Sequence, residues 1–353
     1  TDDQLLDAKA DCYVCAFVPL RKSAKEQLAG LAFVDISTGR FQLTELDFSL
    51  RHPEAIIDIF TRLRPAELLL PQSRFEELSP LAKDLQAELG QLCLTPRPDF
   101  HFDPQTAFTA LTEHFRTTNL AGFGCDHYTA AIHAAGALLQ YLRDTQKSDL
   151  AHIKQLTALH QSGFLVIDDS SRRNLELTET LVGGQRQGSL LATLDQTTTP
   201  MGARLLRRWL LFPLQHHARI QARLDSVEEL LHKGEERRQL QQRLAAVYDV
   251  ERLCSRLVLG HGNARDLSAI KTSLAQLPAI HHLLGTCSAP LLRELTASFD
   301  LLEDLHTLID NAIRDDAPIS LREGNLIREG YHAELDQLLR LLRDGKQMIL
   351  DLE

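Results

Sequence analysis

The apolar positions of the first hundred residues fall into short runs of two kinds. Cys12 to Val18 (CYVCAFV) is a run of strand length and strand composition. Residues 28–46, LAGLAFVDISTGRFQLTEL, set two apolar stretches on either side of Ser37-Thr38-Gly39, which predicts a hairpin. In 53–63, Ile56, Ile57, Phe60 and Leu63 share one helical face, with Pro53 near the first turn. Residues 66–71 (AELLLP) predict a short buried strand ended by Pro71, 75–89 a helix, and Leu92 to Leu94 a further strand. That order predicts an α/β domain over 1–105, with parallel and antiparallel pairing.

From about residue 106 the pattern turns helical. Residues 126–147 carry Ala130, Ala134, Ala137, Leu138 and Tyr141 along one side, and such small residues permit close helix packing. One island interrupts. Residues 163–177, GFLVIDDSSRRNLEL, predict a strand from Phe164 to Ile167, a polar turn and a second short alternating segment. Thr199 is a good N-cap with Pro200 at the first helical position, and the helix that follows is expected to turn Leu205, Trp209 and Leu210 inward. Further helices are expected over 216–232, 235–246, 249–259, 263–283 and 288–314, with a small hairpin at 319–330. The helical domain would then run over 106–330. A last helix begins near Tyr331, and Leu335, Leu338, Leu339 and Leu342 give it an apolar stripe. It reads as helix to its final residue, like a rod severed by a boundary, and Thr1 does not read as a natural start.

Composition changes this picture little. The 353 residues are 44% apolar and 24% charged, which excludes a disordered chain and fits about two domains. A net charge of −10 excludes a uniformly basic nucleic-acid coat, although local basic faces are compatible with it. Six scattered cysteines make no disulfide framework and point to a reducing, cytoplasmic setting. No apolar run is long enough for a membrane span, and no secretory leader is recognisable.

The search for chemistry yields no catalytic, cofactor-binding or metal-binding residues. GGQRQGS at 183–189 lacks the lysine of a phosphate-binding loop and reads as a connector. Cys12 and Cys15 lie three apart on an expected strand and would face opposite ways, and the next cysteine is Cys93. His216-His217 and His281-His282 read as surface pairs, and the spacing of His101, His114, His127 and His133 does not require them to converge. Asp35 would serve a two-metal nuclease only if acids such as Asp58 and Glu67 met it; the favoured reading is a cap on its own hairpin. The arginines are more suggestive. Arg204 and Arg208 are one helical turn apart, as are Arg252 and Arg256, and Asp249, Arg265 and Asp266 lie close by in sequence. Arg172-Arg173 follow the island strand. Interleaved acids favour a network tying helices together over a stripe that contacts phosphates.

Four stretches carry a family resemblance. They are LAFVDISTGRFQLTEL (31–46) with RPAELLLP (64–71); AAGALLQYLRDTQKSDLAHI (134–153); LVIDDSSRRNLELTETLVGGQRQGSLLATLDQTTTPMGARLLRRWLLFPL (165–214); and YDVERLCSRLVLGHGNARDL (248–267) with REGNLIREGYHAELDQLL (322–339). Together they resemble the middle of the bacterial MutS family of DNA mismatch-recognition proteins. The resemblance implies a ribonuclease-H-like connector domain without nuclease activity over 1–105. It implies a mainly α-helical core domain over 106–330 and the start of a projecting lever helix over 331–353. It also implies partners for the complete protein: mismatched double-stranded DNA, MutL and a second MutS subunit. ATP and magnesium would be used by an ATPase domain elsewhere in that protein. This segment is then expected to bind DNA weakly or not at all, to hold no cofactor, and to pass conformational signals among ATPase, DNA clamp and MutL-recruiting surface. Helix 199–211, anchored by Trp209, and residues 248–266 would be its packing hubs. Two rival readings are a metal-dependent nuclease and a non-enzymatic protein-binding adaptor.

Overall fold

The computed structural model describes residues 7–21, 27–50, 53–147, 149–159 and 163–350. The chain divides into two compact units, Thr1–Gln221 and Ala222–Glu353. In the first, an antiparallel meander of β1 (Tyr13–Arg21), β2 (Gln27–Asp35) and β3 (Arg40–Phe48) precedes α1 (Glu54–Leu63), β4 (Glu67–Pro71), α2 (Phe75–Leu89) and β5 (Cys93–Arg97). Two helices follow, α3 (Pro104–Phe115) and α4 (Ala130–Gln146), and then β6 (Leu156–Ala158). The sheet order is β5-β4-β1-β2-β3-β6, with β4 parallel to β1, β5 parallel to β4 and β6 parallel to β3. The expected mixture of pairings is therefore present.

Both faces of this sheet are covered, which is why β1 reads as an unbroken apolar run. Val14, Ala16 and Val18 pack with α4 residues such as Ala134 and Leu138, whereas Tyr13, Cys15 and Phe17 pack with Ile56, Phe60 and Leu81 of α1 and α2. The small residues of α4 are used as expected: at Gly136 the helix backbone comes so close to Ala107 of α3 that an added Cβ would lie 2.3 Å from its Cα. The change of texture near residue 105 is a change of secondary structure within one compact unit. Helix α4 covers the sheet with α3 packed on it, and β6 extends the sheet beside β3. Three residues are too few for periodicity to announce β6.

Asp35 is wholly buried at the end of β2. Its Oδ1 accepts from the Ser37 backbone N–H at 3.0 Å and the Ser37 hydroxyl at 2.7 Å, and its Oδ2 accepts from the Thr38 hydroxyl at 2.9 Å. It is the hairpin cap that the sequence suggested. Glu67 instead accepts from Tyr141 at 2.7 Å, and Asp58 pairs with arginines. Among the described residues, no three His, Cys, Asp or Glu side chains are grouped to hold a metal ion.

The α3–α4 layer also buries histidines. Burial lowers the pKa of His101, His114, His133 and His152, taking His152 to about 4. The unfolded chain would take up these protons near pH 6.5, whereas the folded chain holds them off. Stability is therefore expected to fall as pH drops from 7 toward 4, and His152→Gln to flatten that fall. Thermal unfolding of both forms across this range checks the expectation; equal slopes would contradict it.

Beyond β6, the island is not a strand pair. Phe164 makes only an isolated bridge to Leu214, and the expected polar turn is α5 (Asp169–Asn174), whose N-cap Asp168 accepts from the Ser171 N–H at 2.8 Å. The DDSS string supplies cap and first turn, a signal outweighed by the apolar run before it. Then come α6 (Leu190–Leu194) and α7 (Pro200–Leu211), the latter capped by Thr199 as expected. Trp209 and Leu205 do not point inward: they are 40% and 42% exposed, and the buried residues of α7 are Ala203, Arg204 and Leu211. A buried arginine, Arg204, takes the inward place that the apolar residues were expected to fill.

Helix α8 (His217–His232) leads into α9 (Gly234–Ala245) and α10 (Val250–Val258). The two long helices expected next are each broken. Residues 263–283 form α11 (Ala264–Leu274) and α12 (Leu277–Gly285), with Pro278 restarting the second; 288–314 form α13 (Pro290–Ala297) and α14 (Glu303–Ala312). The hairpin expected within 319–330 is absent: Ile327 makes an isolated bridge to Ile313. The last helix, α15 (Ala333–Leu350), half-buries Leu335 and Leu339 and exposes Leu338 and Leu342. Residues 351–353, where the severed end was read, lie outside the described residues.

Candidate functional site

The most elaborate polar construction in the first unit is a seam of arginines where residues 163–212 meet α1 and residues 7–11. Arg62 of α1 is its centre. Its guanidinium lies 2.6 Å from Asp58, donates to the Ile167 carbonyl at 2.9 Å and sits over the Phe212 ring, 5.6 Å from its centroid. Arg172 of α5 shares Asp58 at 3.6 Å, donates to the Thr61 hydroxyl at 2.6 Å and pairs with Asp169. Burial pushes the Asp58 carboxyl up, and Arg62 and Arg172 oppose the shift. A forked, always charged side chain suits this place, because it satisfies a carboxylate and backbone carbonyls at once.

A second part of the seam lies on α7. Arg204 is wholly buried and donates to the Ala8 carbonyl at 2.9 Å, and Arg208 lies 3.4 Å from Asp11. Burial raises the Asp11 carboxyl, with Arg208 pulling the other way. Nearby, Lys9 reaches Asp195 at 2.9 Å and Arg186 joins it. Burial works against the charge of Asp195, but hydrogen bonds from Lys9 and Thr197 hold its pKa at about 2.

The remaining candidates lie in the second unit. Asp249 caps α10 and is 3.8 Å from Arg252. Arg256 pairs with Asp266, which also forms a capping box with Asn263 at the start of α11. Arg265 is exposed and makes no ion pair with the described residues. The acids near Arg252 and Arg256 in sequence are thus their partners in space. Arg204 and Arg208 instead find partners nearly 200 residues upstream, and Arg62 and Arg172, in addition to Asp58 and Asp169 beside them in sequence, reach Ile167 and Thr61 across more than 100 residues. Asp11 and Asp195 were the seam residues without a local signal, whereas Asp58 and Arg62 stand one helical turn apart on α1, a spacing that could have found the pair. Arg62, among the apolar residues of α1, is the one whose position on a buried face was visible.

Two family models, described as MutS domain II and MutS domain III, match residues 12–154 and 170–352. The chain belongs to the MutS family. It is 40% identical to the DNA mismatch repair protein MutS of Myxococcus xanthus, over all of this chain and 38% of that protein. Identity is also 40% to the MutS of Symbiobacterium thermophilum and 37% to that of Halothermothrix orenii, again over the whole chain and 39% and 38% of those proteins. The chain thus spans about two fifths of the length of these MutS relatives. An N-terminal mixed β/α region followed by a largely helical one matches the order of the two MutS domains. The seam lies at their junction: Arg62 belongs to the domain II match, Arg172, Arg204 and Arg208 to the domain III match.

Proposed function

We propose that this chain is the signal-transmitting middle of a MutS protein, in which a ribonuclease-H-like connector and a helical core move relative to the parts that read DNA and hydrolyse ATP. In this reading the connector extends to about residue 154, the core follows, and residues 331–353 begin a lever. The complete protein would bind mismatched double-stranded DNA, MutL and a second MutS subunit in the cytoplasm, and its ATP and magnesium would be used outside these residues.

One observation carries the reading. The junction of the two MutS domains is held by directional arginine contacts to carboxylates and carbonyls, not by an apolar interface alone. Such contacts hold one arrangement firmly and can be exchanged for another set, as a two-state element requires. The full-length protein bearing Arg208→Met is expected to keep its affinity for mismatched duplex. Its ATP-triggered release should change roughly 3- to 30-fold, the size of typical coupling energies. Release kinetics measured on mismatched duplex decide this, and an unchanged rate sinks the proposal. Loss of a phosphate contact would instead lower the salt dependence of duplex binding. For the nuclease reading, the capping contacts of Asp35 supply no support.

A further inference from the structure

Between α1, α7 and residues 10–13 lies a cavity of about 210 Å³, whose lining includes Asp11, Arg62, Arg64, Arg207 and Arg208. We propose that this cavity is a binding site for a small, multiply charged oxyanion of the phosphate class. The inference goes beyond signal transmission and stands independently of it.

Three of the four guanidiniums already have a carboxylate: Arg62 has Asp58, Arg64 has Glu179 and Arg208 has Asp11. Arg207 has none within ion-pair distance among the described residues, and it is half-buried at the cavity wall. Burial lowers its pKa; distant Glu179 and Asp11 help to hold its proton, while Arg64 and Arg186 work against it. A guanidinium partly withdrawn from water without a counter-ion is costly, and its forked donors have no partner among the described residues to replace the water they lose. A tetrahedral oxyanion answers both needs, since it accepts several charge-assisted hydrogen bonds from forked donors. The space suffices for such an anion with accompanying water. A single carboxylate at the wall, Asp11, is already engaged by Arg208.

The test is thermal unfolding of this chain in chloride buffers of matched ionic strength, titrated separately with inorganic phosphate, pyrophosphate and ADP. A ligand that binds only the folded form raises Tm along a saturating curve. The expected result is a saturable rise of a few degrees with at least one probe. A response to phosphate or pyrophosphate identifies a free anion, and a response to ADP alone identifies a nucleotide's phosphates. Arg207→Met should abolish the response and raise Tm in chloride alone, because the uncompensated charge is gone. Arg243→Met, at an exposed site on α9, should keep the response. Should Arg207→Met not fold, Arg64→Met at the cavity rim must weaken the saturable response at least tenfold in half-saturating concentration. A Tm rise that is linear in phosphate, or a saturable rise retained in the cavity variants, overturns the proposal; the first is the general stabilising effect of an excluded salt.

Discussion

Gly30→Ala is expected to destabilise the first unit by upwards of about 3 kcal/mol. Gly30 lies in the middle of β2, where α4 begins to cross the sheet. A Cβ there would stand 2.0 Å from the carbonyl carbon and oxygen of Ala130 and 2.4 Å from the nitrogen of Ala131. These are backbone atoms and cannot turn aside as a side chain could. Nor can the helix start easily withdraw. Glu45 of β3 accepts from the N–H groups of Thr129 and Ala131 at 2.8 and 3.0 Å, pinning that end to the sheet. The methyl group must therefore displace α4 from a core that includes Ala134, Leu138 and Leu142. Gly122→Ala is the control, because an added Cβ meets nothing within 4 Å there. Thermal and denaturant unfolding of both variants gives the answer, and a Gly30→Ala midpoint close to that of Gly122→Ala would refute the close-approach argument.

Arg172→Met is expected to cost about 3 kcal/mol, the range for removing one member of a buried ion pair. The Arg172 side chain is 8% exposed and that of Asp58 is 16% exposed, so little solvent screens the loss. Met fills much of the volume, which separates lost charge from lost packing. What remains is a carboxylate at Asp58 supported by Arg62 alone, with the Thr61 hydroxyl deprived of its donor. The pH dependence has a definite sign. Burial already raises the Asp58 pKa, and removing a neighbouring cation raises it further. A raised carboxyl weakens the fold while it is charged, and the penalty shrinks as falling pH protonates it. The gap between variant and parent should therefore narrow from pH 7 toward pH 5. Denaturant titrations at both values test this, and a gap that widened on acidification would place the cost elsewhere. Combining the change with Asp58→Asn should yield a coupling energy of about 1–3 kcal/mol.

The sheet and its helices were largely legible in the sequence because their signals are local. The β2–β3 hairpin announces itself by a Ser-Thr-Gly turn between alternating segments, and α2 by an unbroken helical period over 75–89. Asp35 could be read as a cap because the Ser37 amide and the Thr38 hydroxyl that donate to it lie within three residues. Legibility failed where partners are distant. The same arginine pattern that suits a solvated helix face in α7 is turned inward, toward residues 7–11, and Trp209 is left at the surface. Periodicity ranks residues by polarity and so assigns the wrong side to a helix whose buried face is charged. In α11 and α12 the error is of another kind: Pro278 is compatible with a first turn, and an apolar stripe running past it concealed the break. The leucines of α15 were correctly placed on a helix, although Leu338 and Leu342 have no cover within this chain's described residues.

The position of β6 has a consequence for synthesis. The strand that flanks β3 is drawn from residues 156–158, more than a hundred positions after its neighbour. On the ribosome the meander emerges first, and its outer backbone groups stay open until α3, α4 and the segment behind them have followed. An uncovered edge of this kind is a template for pairing with other chains. A stalled or truncated product ending within α4 is therefore expected to be more aggregation-prone than one that includes β6.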